Sequence, residues 1–292
     1  MSVPDPHLGF ERGELDGPDG RLSYLRGGSG APLVLLHSLA LGAPIWTSTL
    51  AELGRGHDVI ALDVRGHGAS GWSGRDFSVQ DLATDALATM DHLGLDRAAV
   101  LGLSMGGSVA LTLAGSQPGR VASLVLCDTT AWYGPDAVSA WGQRAEQAAG
   151  RPRSAQIGFQ MERWFTSTFC AQHPDVVATV TGLFLSCAPA VHAAACRALG
   201  ALDSRPLLGA ITAPTLVITG RDDLATPPPM GEAIAAAVPG ATMVTPEGKH
   251  FAILESPRLR ELAAAHLAGI ALPTLGEGPE PCCAGAPRGE AA

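Results

Sequence analysis

The sequence predicts an α/β protein: a mostly parallel, eight-stranded sheet flanked by helices, with an inserted helical cap. The first observation is that short apolar runs alternate with stretches of helical periodicity from residue 20 to residue 127. Such alternation requires right-handed crossovers, which pair the strands in parallel. The second observation is that residues 131–205 contain helical patterns only, and that the alternation resumes at residue 214.

The strands and helices of the predicted core follow in chain order. Polar and apolar residues alternate at 10–13 and 20–26 around a Gly-rich turn, which predicts an antiparallel hairpin at one sheet edge. Short runs rich in apolar residues predict the remaining strands at 32–37, 58–63, 98–101, 121–127, 214–219 and 241–245. Helical patterns predict connecting helices at 46–53, 77–93 (with Ser78 as the cap), 107–114, 228–238 and 257–269.

The break in this alternation divides the chain into three parts. We expect residues 1–130 and 206–272 to form the core and residues 131–205 to form the cap. Residues 273–292 consist largely of Gly, Pro, Ala and Glu and include an adjacent cysteine pair, so we expect a disordered tail. Within the cap, helical stretches are predicted at 137–149, 154–169, 176–186 and 190–199.

Composition and charge exclude several classes of protein. With 292 residues, of which 46% are hydrophobic, the chain is long enough to bury one large core. Its net charge is −9 and it has no basic run, so neither nucleic acid nor an anionic membrane is an expected partner. There is no leader pattern and no apolar run of membrane-spanning length. The six cysteines lack metal-ligand spacing, so we expect a cytoplasmic protein with reduced thiols, no metal and no cofactor.

The stretch Gly102-Leu103-Ser104-Met105-Gly106 carries the strongest indication of chemistry. It joins a predicted strand directly to a predicted helix, which requires a sharp turn. Glycines two residues before and two residues after Ser104 leave room for that turn, and the serine is then held at its apex with the hydroxyl exposed. This arrangement is typical of a nucleophile elbow, so we predict that Ser104 is a nucleophile.

A serine hydroxyl needs a base to remove its proton and an acid to orient that base. The 214–219 strand is followed by Asp222 and Asp223, either of which is a candidate acid; we favour Asp223 because it lies past the turn. His250 follows the last strand and is the predicted base. For the oxyanion we predict two backbone N–H donors, those of Met105 and of Leu39 in the loop after the 32–37 strand.

The chain resembles the α/β-hydrolase superfamily over residues 20–270. The resemblance rests on the motifs at 102–107, 63–70 and 220–223 and on His250. Within that superfamily the chain is most similar to the 3-oxoadipate enol-lactonases, on residues in and beside the cap. The residues that carry this narrower resemblance are 126–129, Trp141 with Arg144, 162–166, 193–199, 214–218 and 226–228. Two stretches depart from that family, the loop His37–Gly42 and the segment Phe251–Glu255 that follows the histidine.

The resemblance implies hydrolysis of an enol-lactone to 3-oxoadipate, through an acyl-enzyme, in aromatic-compound catabolism. An anionic lactone requires a cation in the pocket, and the candidates in the cap are Arg144, Arg163 and Arg197, with Trp164 as a candidate pocket wall. The expected partner is therefore a small anionic ester or lactone, and the sequence does not indicate an oligomeric state. The alternatives are a general carboxylesterase, another lactonase, a cofactor-free perhydrolase on the same residues, or a non-catalytic receptor.

Overall fold

The computed structural model describes residues 9–270; the predicted tail at 273–292 lies outside the described residues. It contains the eight-stranded, mostly parallel sheet that the sequence predicts, with strand order β1-β2-β4-β3-β5-β6-β7-β8. The strands are β1 (Glu11–Gly17), β2 (Gly20–Gly28), β3 (Ala31–Leu36), β4 (His57–Asp63), β5 (Ala98–Leu103), β6 (Val121–Cys127), β7 (Thr215–Ile218) and β8 (Thr242–Val244). The β1–β2 and β2–β4 pairs are antiparallel, and the pairs from β4 through β3, β5, β6 and β7 to β8 are parallel.

The helices cover the sheet and fill the segment between β6 and β7. They are α1 (Leu50–Leu53), α2 (Val79–His92), α3 (Met105–Ser116), α4 (Ala137–Gly150), α5 (Arg153–Trp164), α6 (Ser167–Gln172), α7 (Pro174–Ser186), α8 (Pro189–Gly200), α9 (Pro228–Ala237), α10 (Ala252–Glu255) and α11 (Pro257–Leu267). Short 3₁₀ helices span Ala43–Thr49, Pro118–Arg120 and Arg205–Ala210. The five helices α4–α8 occupy the segment that was predicted as the cap.

The central strand and helix are buried on all sides, which explains their composition. Every residue of β5 is buried, and so are residues 105–115 of α3. A helix enclosed in this way needs no polar face, so α3 is apolar or small around its whole circumference. The predicted cap of α2 is confirmed: Ser78 Oγ accepts from the Asp81 amide at 3.1 Å, and the Asp81 carboxylate accepts from the Ser78 amide at 2.7 Å.

Two predicted helices differ in the structure, and one helix was not predicted. The predicted helix at 154–169 is two helices, because Phe165 is extended and Thr166 caps α6 by accepting from the Phe169 amide at 3.2 Å. The predicted helix at 46–53 is a 3₁₀ helix followed by a single α-helical turn. The short helix α10, directly after His250, was not predicted because four residues carry too little periodicity.

Among the described residues, no single helix has the length and apolar character to cross a membrane; α7 and α8, bent by 94° at their junction, meet that test only as a pair and only by length and composition.

Candidate active site

Ser104 lies at the turn between β5 and α3 in a conformation that is rare for a non-glycine residue. Its φ is 56° and its ψ is −116°. A Cβ on Gly102 would lie 2.2 Å from the Gly106 carbonyl oxygen, and a Cβ on Gly106 would lie 2.1 Å from the Leu36 carbonyl oxygen. Both positions therefore require glycine, because the turn brings backbone against backbone. The sequence predicts this turn correctly from the spacing of its glycines.

The structure brings Ser104, His250 and Asp223 together, from the ends of three different strands. His250 Nε2 lies 2.9 Å from Ser104 Oγ, and His250 Nδ1 lies 2.8 Å from Asp223 Oδ2. The three residues are buried. Since a carboxylate only accepts, Nδ1 carries the proton, and Nε2 accepts the hydroxyl proton of the serine. This is the geometry of a nucleophile, a base and an orienting acid.

Asp223, not Asp222, is the carboxylate in contact with the imidazole. Asp222 is exposed. Asp223 Oδ1 accepts from the amides of Ala225 and Thr226 at 2.7 and 3.1 Å, and Oδ2 also accepts from the Thr226 hydroxyl at 2.7 Å. Burial raises the pKa of Asp223, but the attraction of His250 and these hydrogen bonds outweigh it, so the pKa lies below its ordinary value. Asp223 is therefore ionised at neutral pH.

A second buried carboxyl, Asp128, lies behind the first and was not anticipated from the sequence. It follows β6, has a φ of 48°, and its Oδ1 accepts from the Gly220 amide at 2.8 Å. Gly220 opens the turn that carries Asp223. Burial, together with the nearby negative charge of Asp223, raises the pKa of Asp128 well above its ordinary value. Asp128 thus contacts the turn that carries Asp223, in surroundings that favour its neutral form.

The two predicted oxyanion donors come from different elements, Met105 from α3 and Leu39 from the loop after β3. Met105 is the first residue of α3, so its N–H has no partner inside the helix. Leu39 lines the same pocket as Ser104. Its loop is held by His37, whose Nδ1 is 2.8 Å from the Ser38 carbonyl oxygen and whose Nε2 accepts from the Val64 amide at 3.0 Å. The donor role of Leu39 and Met105 stays a prediction.

The helical segment contacts the histidine loop through its backbone. The carbonyl oxygens of Arg163 and Trp164, at the end of α5, accept from the amides of His250 and Phe251 at 3.1 and 3.0 Å. The Trp164 and Phe251 rings stack with centroids 5.2 Å apart. The contact between the end of α5 and the histidine loop, called the seam below, includes further hydrogen bonds. Lys249 Nζ donates to the Glu162 carbonyl oxygen at 2.7 Å. Thr166 N and Oγ1 donate to the Glu255 carboxylate at 2.8 and 2.6 Å. The position of the imidazole therefore depends on α5.

Three of the four predicted substrate contacts line the pocket above Ser104, and one does not. Arg144, Arg163 and Trp164 lie in its wall. Arg197 is a correction: its guanidinium is paired with Asp76 at 2.5 Å, its side chain is 48% exposed, and it is not among the lining residues. The lining residues that sequence reasoning missed include Tyr133, Gln160, Phe184 and His192.

Arg144 is one of two arginines in this pocket wall, with Arg163, that form no ion pair with a carboxylate among residues 9–270. Its guanidinium lies 4.7 Å from the Trp141 ring centroid, and no carboxylate within residues 9–270 forms an ion pair with it. Burial lowers the pKa of Arg144, yet an arginine in a protein stays charged. The two arginines differ in the ring they contact: the Arg163 guanidinium lies 3.7 Å from the centroid of Phe159, a ring that is half exposed.

The α/β hydrolase fold family matches residues 31–257 of the sequence. The chain belongs to this family. One relative is 3-oxoadipate enol-lactonase 2 of Acinetobacter baylyi, which is 30% identical over 226 residues, 77% of this chain and 84% of the relative. Among the described residues of this α/β hydrolase, no three His, Cys, Asp or Glu side chains are grouped so as to hold a metal ion.

Solved structures of other α/β hydrolases are similar over most of this one. The enol-lactonase of Burkholderia xenovorans is 29% identical and superimposes with a TM-score of 0.82, covering 88% of this chain and 100% of that one. A thermophilic esterase of Thermogutta terrifontis, solved with malate bound, is also 29% identical and has a TM-score of 0.81, covering 89% of this chain and 98% of that one. The family, and with it hydrolysis of an ester or lactone, is therefore established for this chain.

Proposed function

We propose that this α/β hydrolase opens a small carboxylated enol-lactone of the 3-oxoadipate type through an acyl-enzyme. The observation that supports this choice of substrate is Arg144. Its guanidinium lies in the wall of the Ser104 pocket, as that of Arg163 does, and forms no ion pair among residues 9–270; burial lowers the pKa of Arg144. A charged group in this position is costly until an anion pairs with it, so the pocket favours an anionic substrate.

The similar proteins agree with an anionic substrate. The Acinetobacter relative and the Burkholderia structure are named as enol-lactonases, and the Thermogutta esterase carries malate, a dicarboxylate. As part of the same proposal, the protein acts in the β-ketoadipate pathway of aromatic catabolism, in the cytoplasm, on a small molecule rather than on nucleic acid or a membrane.

The chemistry follows from the positions of the three side chains. Ser104 Oγ attacks the lactone carbonyl carbon while His250 Nε2 takes the hydroxyl proton, and Asp223 stabilises the resulting imidazolium. The amides of Leu39 and Met105 receive the negative charge that develops on the carbonyl oxygen. The ring C–O bond breaks, and the enolate oxygen takes the proton from His250. Water then attacks the ester of Ser104 with His250 as base, which releases the acid and restores the serine.

Steady-state kinetics test the proposal. Wild-type protein is assayed on 3-oxoadipate enol-lactone and on a neutral aryl ester of similar size. We expect kcat/KM to be higher for the lactone, and we expect Ser104→Ala to lower kcat on both substrates by about 10⁴-fold or more. Ser116→Ala, in the same helix but outside the pocket, is the matched control and should keep wild-type rates.

A general esterase on the same residues is the second candidate. The aromatic side chains of Tyr133, Trp141, Trp164 and Phe184 in the pocket wall favour it, because they suit uncharged acyl or aryl groups. If the neutral ester is the better substrate, the lactone assignment is wrong and the esterase assignment stands. A rate that Ser104→Ala does not change would contradict both.

A further inference from the structure

His192 presents a buried polar atom that no protein group satisfies. The residue lies in α8, is 1% exposed, and lines the same pocket as Ser104. Its Nδ1 lies 2.5 Å from Arg153 Nη1. Its Nε2 is buried and has no hydrogen-bond partner within residues 9–270. Buried polar atoms in proteins are almost always paired, so an unpaired one in a substrate pocket calls for a partner that enters that pocket.

The contact with Arg153 decides which ring nitrogen carries the proton. A guanidinium has five N–H donors and no acceptor, so His192 Nδ1 must accept and must be unprotonated. The proton of the neutral ring is therefore on Nε2, the nitrogen without a partner. The ring is a hydrogen-bond donor at that atom.

Arg153 is held in place independently of the histidine. Its Nε and Nη2 both donate to the Phe184 carbonyl oxygen, the Nε bond being 3.1 Å long, and its guanidinium lies 3.7 Å from the Phe184 ring centroid. The Phe184 ring in turn meets the His192 ring edge-on at 5.7 Å. The three side chains therefore fix both the orientation and the tautomer of the imidazole.

We propose that His192 is a specificity-determining residue whose Nε2–H donates a hydrogen bond to a neutral oxygen in the acyl portion of the substrate. This inference rests on the proposed function and deepens it: the substrate would carry a carboxylate for Arg144 and a carbonyl-type oxygen for His192. We assign the carboxylate to the Arg144 guanidinium rather than to His192, since charge-assisted hydrogen bonds are about twice as strong as neutral ones.

The surroundings of His192 keep it a neutral donor. Burial, followed by the positive charges of Arg153 and Arg144, lowers the pKa of His192 to about 2. His67 also lies near enough to contribute, and burial lowers its own pKa to about 3, so it too is neutral. Phe184, which also packs against His192, presents to it only a ring edge, and the Phe184 carbonyl oxygen already accepts from Arg153. His192 therefore stays neutral, and keeps its Nε2–H donor, in the pH range in which an esterase works.

Two matched aryl esters measure the effect on specificity. One carries a keto oxygen in its acyl chain, and the other has a methylene in that position. For wild-type protein we expect kcat/KM to favour the keto ester by about 10- to 100-fold, because the methylene ester leaves a buried N–H unpaired. The ratio between the two esters, rather than either rate alone, is the readout.

Two substitutions at position 192 separate the donor from the shape of the side chain. His192→Phe keeps the ring and removes the donor, and we expect the ratio to fall to within about three-fold of unity. His192→Gln is the control, because its amide oxygen accepts from Arg153 and its amide nitrogen still donates; most of the preference should remain. An unchanged ratio in His192→Phe overturns the inference.

Nitrogen-15 NMR of the full-length wild-type protein gives an answer that depends neither on turnover nor on a variant. We expect the neutral Nε2–H tautomer of His192 between about pH 5 and pH 8. In Arg153→Met the Nδ1 atom loses its donor, so we expect the Nδ1–H tautomer to appear as well. The Nδ1–H tautomer in wild-type protein overturns the inference. If wild type hydrolyses both esters equally, the inference fails while the hydrolase stands; if it hydrolyses neither, the proposed function fails as well.

Discussion

Replacement of Arg144 by methionine tests whether the pocket is built for an anion. Methionine keeps much of the length and apolar volume of the side chain and removes only the guanidinium. A hydrogen bond to a charged group contributes about 1.5–3 kcal/mol, which corresponds to about 10- to 150-fold in kcat/KM. We expect this loss with the carboxylated lactone and a change of less than about two-fold with a neutral aryl ester.

The loss should fall on KM rather than on kcat. The carboxylate of the lactone lies away from the carbonyl that reacts, so its contact with Arg144 is the same in the ground state and the transition state. Stability should change little. The cation–π contact with Trp141 contributes about 0.5–1 kcal/mol, and its loss is opposed by relief of the desolvation cost that lowers the pKa of Arg144.

Arg197→Met is the matched control. It removes an arginine from the same helical segment, but one that is exposed and paired with Asp76. Its kinetics should equal those of wild type on both substrates. An anion site at Arg144 is refuted if Arg144→Met lowers kcat/KM equally on the lactone and the neutral ester, or on neither. Urea unfolding of each variant excludes a folding defect as the cause.

Three further predictions concern the groups around the nucleophile. Asp223→Asn should lower kcat by about 10⁴-fold, because the imidazole loses its orienting charge, whereas Asp222→Asn should not; equal effects in steady-state assays would reverse the assignment of the acid. Gly106→Ala should lower the free energy of unfolding by about 3 kcal/mol, because its Cβ meets a carbonyl oxygen. Gly182→Ala is the control: Gly182 is exposed in α7 with open space around it, so this change should raise the free energy of unfolding by about 0.5–1 kcal/mol. A Gly106→Ala protein as stable as wild type in urea would contradict the close contact. The raised pKa of Asp128 means that its protonated form stabilises the fold below about pH 4 and that this contribution is lost as pH rises through the folded-state pKa. Asp128→Asn stays neutral, so its stability relative to wild type should rise as the pH increases above about 4. A difference in urea unfolding that does not change with pH would contradict a raised pKa of Asp128.

The parts of the site that depend on local geometry were predictable from the sequence. Gly102 and Gly106 identify the turn, because only glycine tolerates the approach of Gly106 and Leu36 backbone atoms. Asp223 and His250 follow strands, and parallel strands end at one edge of a sheet, so their meeting with Ser104 follows from topology. The choice of Asp223 over Asp222 was more difficult, because it depends on the path of a four-residue turn.

The parts that depend on packing between helices were not predictable. Arg197 and His192 lie in the same helix, α8, but five residues, or about 140° of rotation, separate them. Leu199, seven residues from His192, returns to the same face and also lines the pocket. No local pattern indicates which face of α8 meets the pocket. The Arg153–His192 contact is equally invisible in the sequence, because the two residues come from different helices.

The seam between α5 and the histidine loop has a consequence for how the protein admits a substrate. Because carbonyl oxygens of Arg163 and Trp164 receive the amides of His250 and Phe251, swinging this end of α5 outward would drag the imidazole off the serine hydroxyl. The pocket therefore cannot be open at this end of α5 while Ser104 is hydrogen-bonded to His250. A substrate that enters at another side of the pocket leaves the Ser104–His250 contact in place. A substrate that enters at the end of α5 breaks that contact until α5 returns to its position.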